Sequence, residues 1–337
     1  MKINFILDME KSLAGSGVFS SATRLAVGLR KKGFTVDING KNPPYDIYHF
    51  HTALPQSMLK ARLWFKKLRH GKHGKIVMHG HTTIEDFRDS FLFSNHIDWI
   101  LIPYLKRYYA LADHLIAVSP YNRAVLLRYG YPPDKISVIS NGIDLSRFSG
   151  TIPTVRTVIR NFFGLKSQQL ICLSLGICIW RKAPDIVVDV AQLTPDHHFF
   201  WLGKYFPLSS LAHAARLRQK FQHARTLPNL QFTDYVSYKT LVGMFHAADV
   251  FLYPSREENQ GIALLEAMAY GKIPVVRDHP VFDWLTHGHD CLKATTPKEF
   301  SEALYKVAAN HSLREMLQHN GQETLKIHRI ETAIDKI

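Results

Sequence analysis

Short apolar runs of strand length alternate with helix-like stretches along the whole chain, and this alternation limits the fold more than any other feature. In the first half the runs are INFIL (3–7), FTVDI (34–38), DIYHFH (46–51), KIVMHG (75–80), HLIAVS (114–119) and KISVIS (135–140). In the second half they are LICLSLG (170–176), HFFWLG (198–203), LQFTD (230–234), DVFLYPS (249–255) and KIPVVR (272–277). Nearly continuous apolar strands separated by helices predict parallel sheets covered on both faces, an α/β class. At 337 residues the chain exceeds one ordinary core, and it suits two doubly wound, Rossmann-like domains of about 150–180 residues each. The expected division is 1–148, 149–320 and a C-terminal helix over 321–337, with the boundary after SNGIDLSRF in the GTIPTVR linker. Ligands of such sheets bind at the carboxyl ends of strands, so the chemistry is expected there, in a cleft between the domains.

Composition excludes several classes. The three cysteines, Cys172, Cys178 and Cys291, form no CxxC pair, and no metal site or cofactor is expected. Most of the 19 histidines are scattered; HGH at 79–81 and HH at 197–198 lack cysteine or carboxylate partners at a ligand spacing. MKINFILDMEKS brings Asp8 and Glu10 straight after its apolar run, so it reads as a first strand and not a signal peptide. The longest apolar stretches, 99–105 and 170–180, are too short to span a bilayer, and a cytoplasmic protein is expected.

The net charge of +14 calls for an anionic partner. No acidic residue occurs from Ile47 to Ile84, where Lys60, Arg62, Lys66, Lys67, Arg69, Lys72 and Lys75 cluster. Ala61, Trp64, Phe65 and Leu68 recur at helical spacing among them. Two readings stand: a helix packed on its sheet, or an interfacial helix whose Lys60, Arg62, Trp64, Phe65, Lys66, Lys67 and Arg69 meet an anionic membrane. Packing on one side with a basic rim toward lipid satisfies both. Nucleic-acid binding also fits the charge, but none of the usual modules is visible.

The stretch YPSREENQGIALLEAMAYGKIPVV (253–276) holds Glu258 and Glu266 eight positions apart around Gly261, at a strand-to-helix junction. The spacing predicts a helix over 261–270 ending at Gly271. Its free N–H groups suit a phosphate, and the flanking carboxylates suit sugar hydroxyls, a combination that fits a nucleotide sugar. LGICIWRKAP sets Arg181 and Lys182 after another strand, where two cations can stabilise a departing diphosphate. His79 and His81 end the fourth strand, GSGV (15–18) follows the first, and Asp86, Arg88 and Asp89 stand where an acceptor could be met.

With these motifs the chain resembles the family 4 retaining glycosyltransferases, which have the GT-B fold. EENQGIALLEA, the RK pair and HTTIEDFRDSF look most like bacterial glycosyl-diacylglycerol synthases. The resemblance implies that Glu258 holds hydroxyls of the transferred sugar and Glu266 the ribose. Backbone N–H groups at Gly261, Ile262 and Ala263 would meet the diphosphate or sugar, Lys182 with Arg181 the phosphates, and the backbone at Asp234, Tyr235 and Val236 the base. His81, the better match of the two, or His79 would contact the donor sugar, and the loop with Gly15 and Gly17 would approach the diphosphate. Ile177 stands where many members carry an arginine. The last segment would cross back to the first domain. The implied reaction is metal-independent transfer of glucose or galactose from a UDP-sugar to a lipid acceptor such as diacylglycerol or its glycosyl form, by a peripheral protein at the cytoplasmic face of the membrane. Synthesis of a cell-surface polysaccharide or lipid-linked oligosaccharide is the alternative, and a sugar-nucleotide epimerase a more distant one.

Overall fold

The computed structural model describes residues 1–8, 17–71, 73–148, 153–166 and 169–337. They form two units. The first comprises Met1–Asp86, His96–Asp144 and Ile327–Ile337; the second comprises Phe87–Asn95 and Leu145–Lys326. Each contains one six-stranded sheet whose strand pairs are all parallel.

In the first unit the strands are β1 (Lys2–Ile6), β2 (Thr35–Ile38), β3 (Ile47–Phe50), β4 (Lys75–His79), β5 (His114–Ala117) and β6 (Ile136–Val138), in the order β2-β1-β3-β4-β5-β6. Helices α1 (Gly17–Lys31), α2 (Pro55–Arg69), α3 (Asp98–Tyr109) and α4 (Pro120–Arg128) connect them. On α2, Ala61 is fully buried, Trp64 stacks on Tyr48 with ring centroids 4.1 Å apart, and Phe65 and Leu68 pack on the same core. Trp64 and Phe65 are therefore committed to the sheet, because a bulky ring buried against another ring is worth more than one left at a rim. The solvent face of α2 instead carries Leu59, 68% exposed, and Leu63, 51% exposed, among Arg62, Lys66, Lys67 and Arg69. Lys60 pairs with buried Asp8 at 2.5 Å and stands apart from that basic set.

In the second unit the order is β12-β11-β10-β7-β8-β9, with β7 (Ile171–Leu175), β8 (His198–Leu202), β9 (Leu230–Thr233), β10 (Val250–Tyr253), β11 (Ile273–Arg277) and β12 (Leu292–Ala294). The edge strand β12 has three residues, LKA, too short for its sequence to announce a strand. Helices α5 (Pro153–Phe162), α6 (Pro184–Leu193), α7 (Ala214–Ala224), α8 (Tyr238–Ala247), α9 (Ile262–Ala269), α10 (Pro297–Ala309) and α11 (His311–Leu325) belong to this unit. Part of the expected GTIPTVR linker is thus helix α5, and its Arg156 and Arg160 both pair with Asp249.

The segment expected as one helix over 321–337 is broken. Helix α11 ends at Leu325, a 3-10 turn covers Lys326–His328, and α12 (Ile330–Asp335) follows. Ile143 N–H donates to the His328 carbonyl at 2.8 Å and Ile330 N–H to the Ile143 carbonyl at 2.9 Å, both within the first unit. There α12 packs on α1. A Cβ at Gly28 would fall 2.0 Å from Ile334 Cδ1, so a larger residue there would push the Ile334 side chain aside. No helix among the described residues is long and apolar enough to cross a membrane.

Candidate active site

Strand order decides where each unit can bind a ligand. In the second sheet β7 continues to β8 and β9 on one side, and the chain returns to place β10 on the other. The connections leaving β7 and β10 therefore diverge to opposite faces, opening a crevice at their carboxyl ends. The residues there are Gly176–Ala183 after β7 and Pro254–Gly261 after β10. Gly176, at φ +146°, lies so near Gly203 that a Cβ on Gly203 would sit 1.9 Å from its carbonyl oxygen. Trp201 Nε1 donates to that same carbonyl at 2.8 Å.

Lys182 forms an ion pair and hydrogen bond with Glu258 Oε1, and Tyr253 Oη donates to the same oxygen at 2.6 Å. Glu258 is buried. Burial alone would raise its carboxyl, but the Lys182 and Arg181 cations, with hydrogen bonds from Lys182 and Tyr253, overcome this and hold it below the usual range. Glu258 is accordingly an anion at neutral pH. Arg181 Nε donates to Ser90 Oγ at 3.2 Å, and its Nη1 to the Glu257 carbonyl at 2.9 Å. Arg256 was not singled out in the sequence, yet it ties the two strand ends together. Its guanidinium forks onto Asp185 at 2.8 and 2.6 Å, donates to the Trp180 carbonyl at 2.6 Å and lies 4.0 Å over the Trp180 ring.

Helix α9 starts at Ile262 with Gly261 as its N-cap at φ +86° and no side-chain cap. Its first N–H groups, including those of Ile262 and Ala263, therefore meet no capping side chain, beside the Lys182 and Glu258 pair. Glu266 is half-buried one turn further in. Val236 follows β9 in a loop with exposed Asp234 and Tyr235. Asp89 is taken up within the second unit, bonding His213 Nε2 at 2.8 Å and Asn95. Sequence offers no view of that His213 partner, 124 residues away.

In the first unit the equivalent divergence lies between β1 and β3. Gly15 lies outside the described residues; Gly17 is the exposed first residue of α1. Asp8, after β1, accepts from Ser57 Oγ at 2.5 Å and from Lys60 Nζ. Asp86 accepts from the Thr83 backbone and hydroxyl, both at 3.1 Å, shaping its own turn. His81 is half-buried, and its ring is parallel to that of His79 with centroids 4.3 Å apart. His49 and His51 stack on the same group, so the histidines read as scattered form a cluster of four. Two H-x-H strings on neighbouring parallel strands were the available signal. Burial lowers His49 and His81 to about 3 and lowers His51 and His79 as well, so all four rings are neutral at pH 7.

Known proteins resemble this chain in sequence and in fold. The model for glycosyl transferases group 1 matches residues 155–324, and that for Glycosyltransferase Family 4 matches residues 39–147. The chain is 29% identical over 333 residues to the processive diacylglycerol alpha-glucosyltransferase of Acholeplasma laidlawii, covering 98% of this chain and 95% of that one. It is 25% identical over 348 residues to the alpha-galactosylglucosyldiacylglycerol synthase of Streptococcus pneumoniae, covering 99% and 88%. Among solved structures, Anabaena HepE in complex with UDP and glucose superposes with a TM-score of 0.77 at 16% identity, over 100% of this chain and 98% of that one. The sucrose-phosphate synthase of Thermosynechococcus elongatus superposes at 0.80 and 17% identity, over 100% and 97%. At these identities the structural likeness is one of fold.

Proposed function

Since the chain belongs to the group 1 glycosyl transferases, family 4 enzymes of GT-B fold, we propose that it is a retaining hexosyltransferase moving glucose or galactose from a UDP-sugar to diacylglycerol or a glycosyl-diacylglycerol. One observation carries the donor half: Lys182, Glu258 and Tyr253 form a hydrogen-bonded set at the switch point of the second sheet, beside an uncapped helix start.

When a nucleotide sugar binds there, its diphosphate competes with Glu258 for Lys182, while the α9 N–H groups take further phosphate oxygens. Glu258, freed of part of its pairing, accepts hydrogen bonds from the sugar hydroxyls. Glu266 takes the ribose hydroxyls and the backbone at Val236 the base. In this reading the proton of the acceptor hydroxyl passes to the leaving phosphate oxygen. The bond from the anomeric carbon to UDP breaks, and the bond to the acceptor oxygen forms on the same face. Arg181 and Lys182 stabilise the charge growing on the diphosphate, which makes this step metal-independent in our reading. His81 is the proposed contact of the first unit with the donor sugar.

The lipid acceptor is supported by what the two full-length relatives are named for and by helix α2. Its outward Leu59 and Leu63, ringed by Arg62, Lys66, Lys67 and Arg69, suit an anionic leaflet, where each cation contributes roughly 1 kcal/mol. We place the enzyme peripherally at the cytoplasmic face of the membrane. The test is incubation of purified protein with labelled UDP-glucose or UDP-galactose and vesicles containing diacylglycerol. Label in the lipid phase with α configuration at the anomeric carbon supports the proposal. Epimerisation of the donor without an acceptor, or transfer to polysaccharide alone, contradicts it.

A further inference from the structure

The four-histidine cluster is not used by the donor chemistry beyond His81, and its geometry suits a ligand of its own. Register pairs His49 with Val77 and Phe50 with Met78, so the next step sets His51 beside His79. Side chains two apart on a strand share a face, which brings the two H-x-H strings together at the carboxyl ends of β3 and β4. His49, His51 and His79 each offer a ring nitrogen, all within 4.8 Å of one another, and His49 Nε2 lies 3.1 Å from His79 Nδ1. Around a four-coordinate ion with bonds of about 2.0–2.1 Å, ligand nitrogens stand roughly 3.4 Å apart. The near-parallel rings of His49, His51 and His79 would have to turn for their in-plane lone pairs to meet at one ion, giving up the hydrogen bond between His49 Nε2 and His79 Nδ1.

A second observation points the same way. Both ring nitrogens of His51, and Nε2 of His79, are buried with no hydrogen-bond partner. His51 is 1% exposed and His79 5% exposed. Buried polar atoms are ordinarily satisfied, and one ion, taking one nitrogen per ring, would relieve one orphan on His51 and one on His79. Phe5 packs against both His49 and His51, closing the apolar side.

We propose that His49, His51 and His79 bind one borderline divalent cation of the zinc, cobalt, nickel or copper class. An all-imidazole set disfavours magnesium and calcium, which take oxygen ligands. The ion would pin the ends of β3 and β4 and with them the turn that carries His81, while playing no part in neutralising the diphosphate.

The test uses the full chain freed of metal by chelator and titrated with zinc chloride, then with cobalt chloride. One equivalent binding tightly, with the visible absorption of four-coordinate cobalt and a raised melting temperature, is expected. His51→Gln should weaken zinc affinity at least 100-fold and abolish the cobalt spectrum while the metal-free protein still melts cooperatively. A chain without a tight equivalent overturns the proposal, as does unchanged affinity in the variant, which would place the metal on other histidines. If His51→Gln does not fold, X-ray absorption of the zinc-loaded natural chain decides. At least three imidazole shells support the site, and fewer overturn it.

Discussion

Glu258 accepts from two unlike donors on one oxygen, the ammonium of Lys182 and the phenol of Tyr253, and this pairing changes what its replacement should do. Glu258→Ala would leave a mostly buried cation without its partner, which costs about 3–5 kcal/mol, so lost activity in that variant is confounded with lost stability. Glu258→Gln keeps the shape and an oxygen that can accept from both Lys182 and Tyr253, so it costs less stability than Ala, and turnover of the folded variant should fall by roughly 100-fold or more. Asp185→Asn removes the anion under the Arg256 fork. It should lower the urea midpoint and raise KM for the UDP-sugar as the two strand ends loosen; wild-type values for both would refute the tie. Glu258 and Glu266 were legible in sequence because both lie within one strand-to-helix junction. The Lys182 partner of Glu258 was not, at 76 residues away, nor was the Arg256 fork across 71. A linear pattern reports spacing along an element and says nothing of pairs made by a crossover.

At the scale of elements, the start of α9 depends on a left-handed Gly261 whose added Cβ would lie 3.1 Å from the Tyr253 ring. Gly261→Ala should cost about 1–2 kcal/mol from the backbone alone and displace Tyr253 from Glu258. A fall in melting temperature with weaker UDP-sugar binding is the expected result. Helix α2 shows the other side of the same lesson. Its 3.6-residue periodicity identified the apolar face, yet only the packed structure shows that Trp64 and Phe65 face the sheet and that Leu59 and Leu63 face out. Replacing Lys66, Lys67 and Arg69 together with Glu should release the protein from anionic vesicles in sedimentation assays, with a cooperative melt retained but lowered, because Lys67 and Arg69 lie over the Trp64 and Phe65 rings and Arg69 faces Asp113. Retention on the vesicles would remove the membrane reading.

For the molecule as a whole, strand alternation made both sheets readable, and what escaped was short or discontinuous: the three-residue β12, helix α5 and the broken C-terminal segment. That segment returns to the first unit through His328, whose Nδ1 lies 3.0 Å from Ser140 Oγ. Burial lowers His328 from 6.5 to about 4, so on acidification the unfolded chain binds the proton first. Its contribution to stability is complete above pH 6.5 and is lost as the pH falls toward about 4, by about 1.4 kcal/mol per pH unit. The loss of unfolding free energy between pH 6.5 and 5, measured by urea titration, should therefore be smaller by roughly 2 kcal/mol in His328→Gln than in the natural chain; an identical pH dependence would show that His328 is not the titrating group. The central claim is that one donor site, built on Lys182 and Glu258, transfers hexose from a UDP-sugar to lipid. It is tested most directly by the rate of label transfer from UDP-glucose or UDP-galactose to diacylglycerol vesicles for the natural chain and Glu258→Gln, each checked for a cooperative melting curve. The account predicts lipid-borne label in the first and at least 100-fold less in the second. Equal rates, or no lipid-borne label from the natural chain with either donor, would contradict it.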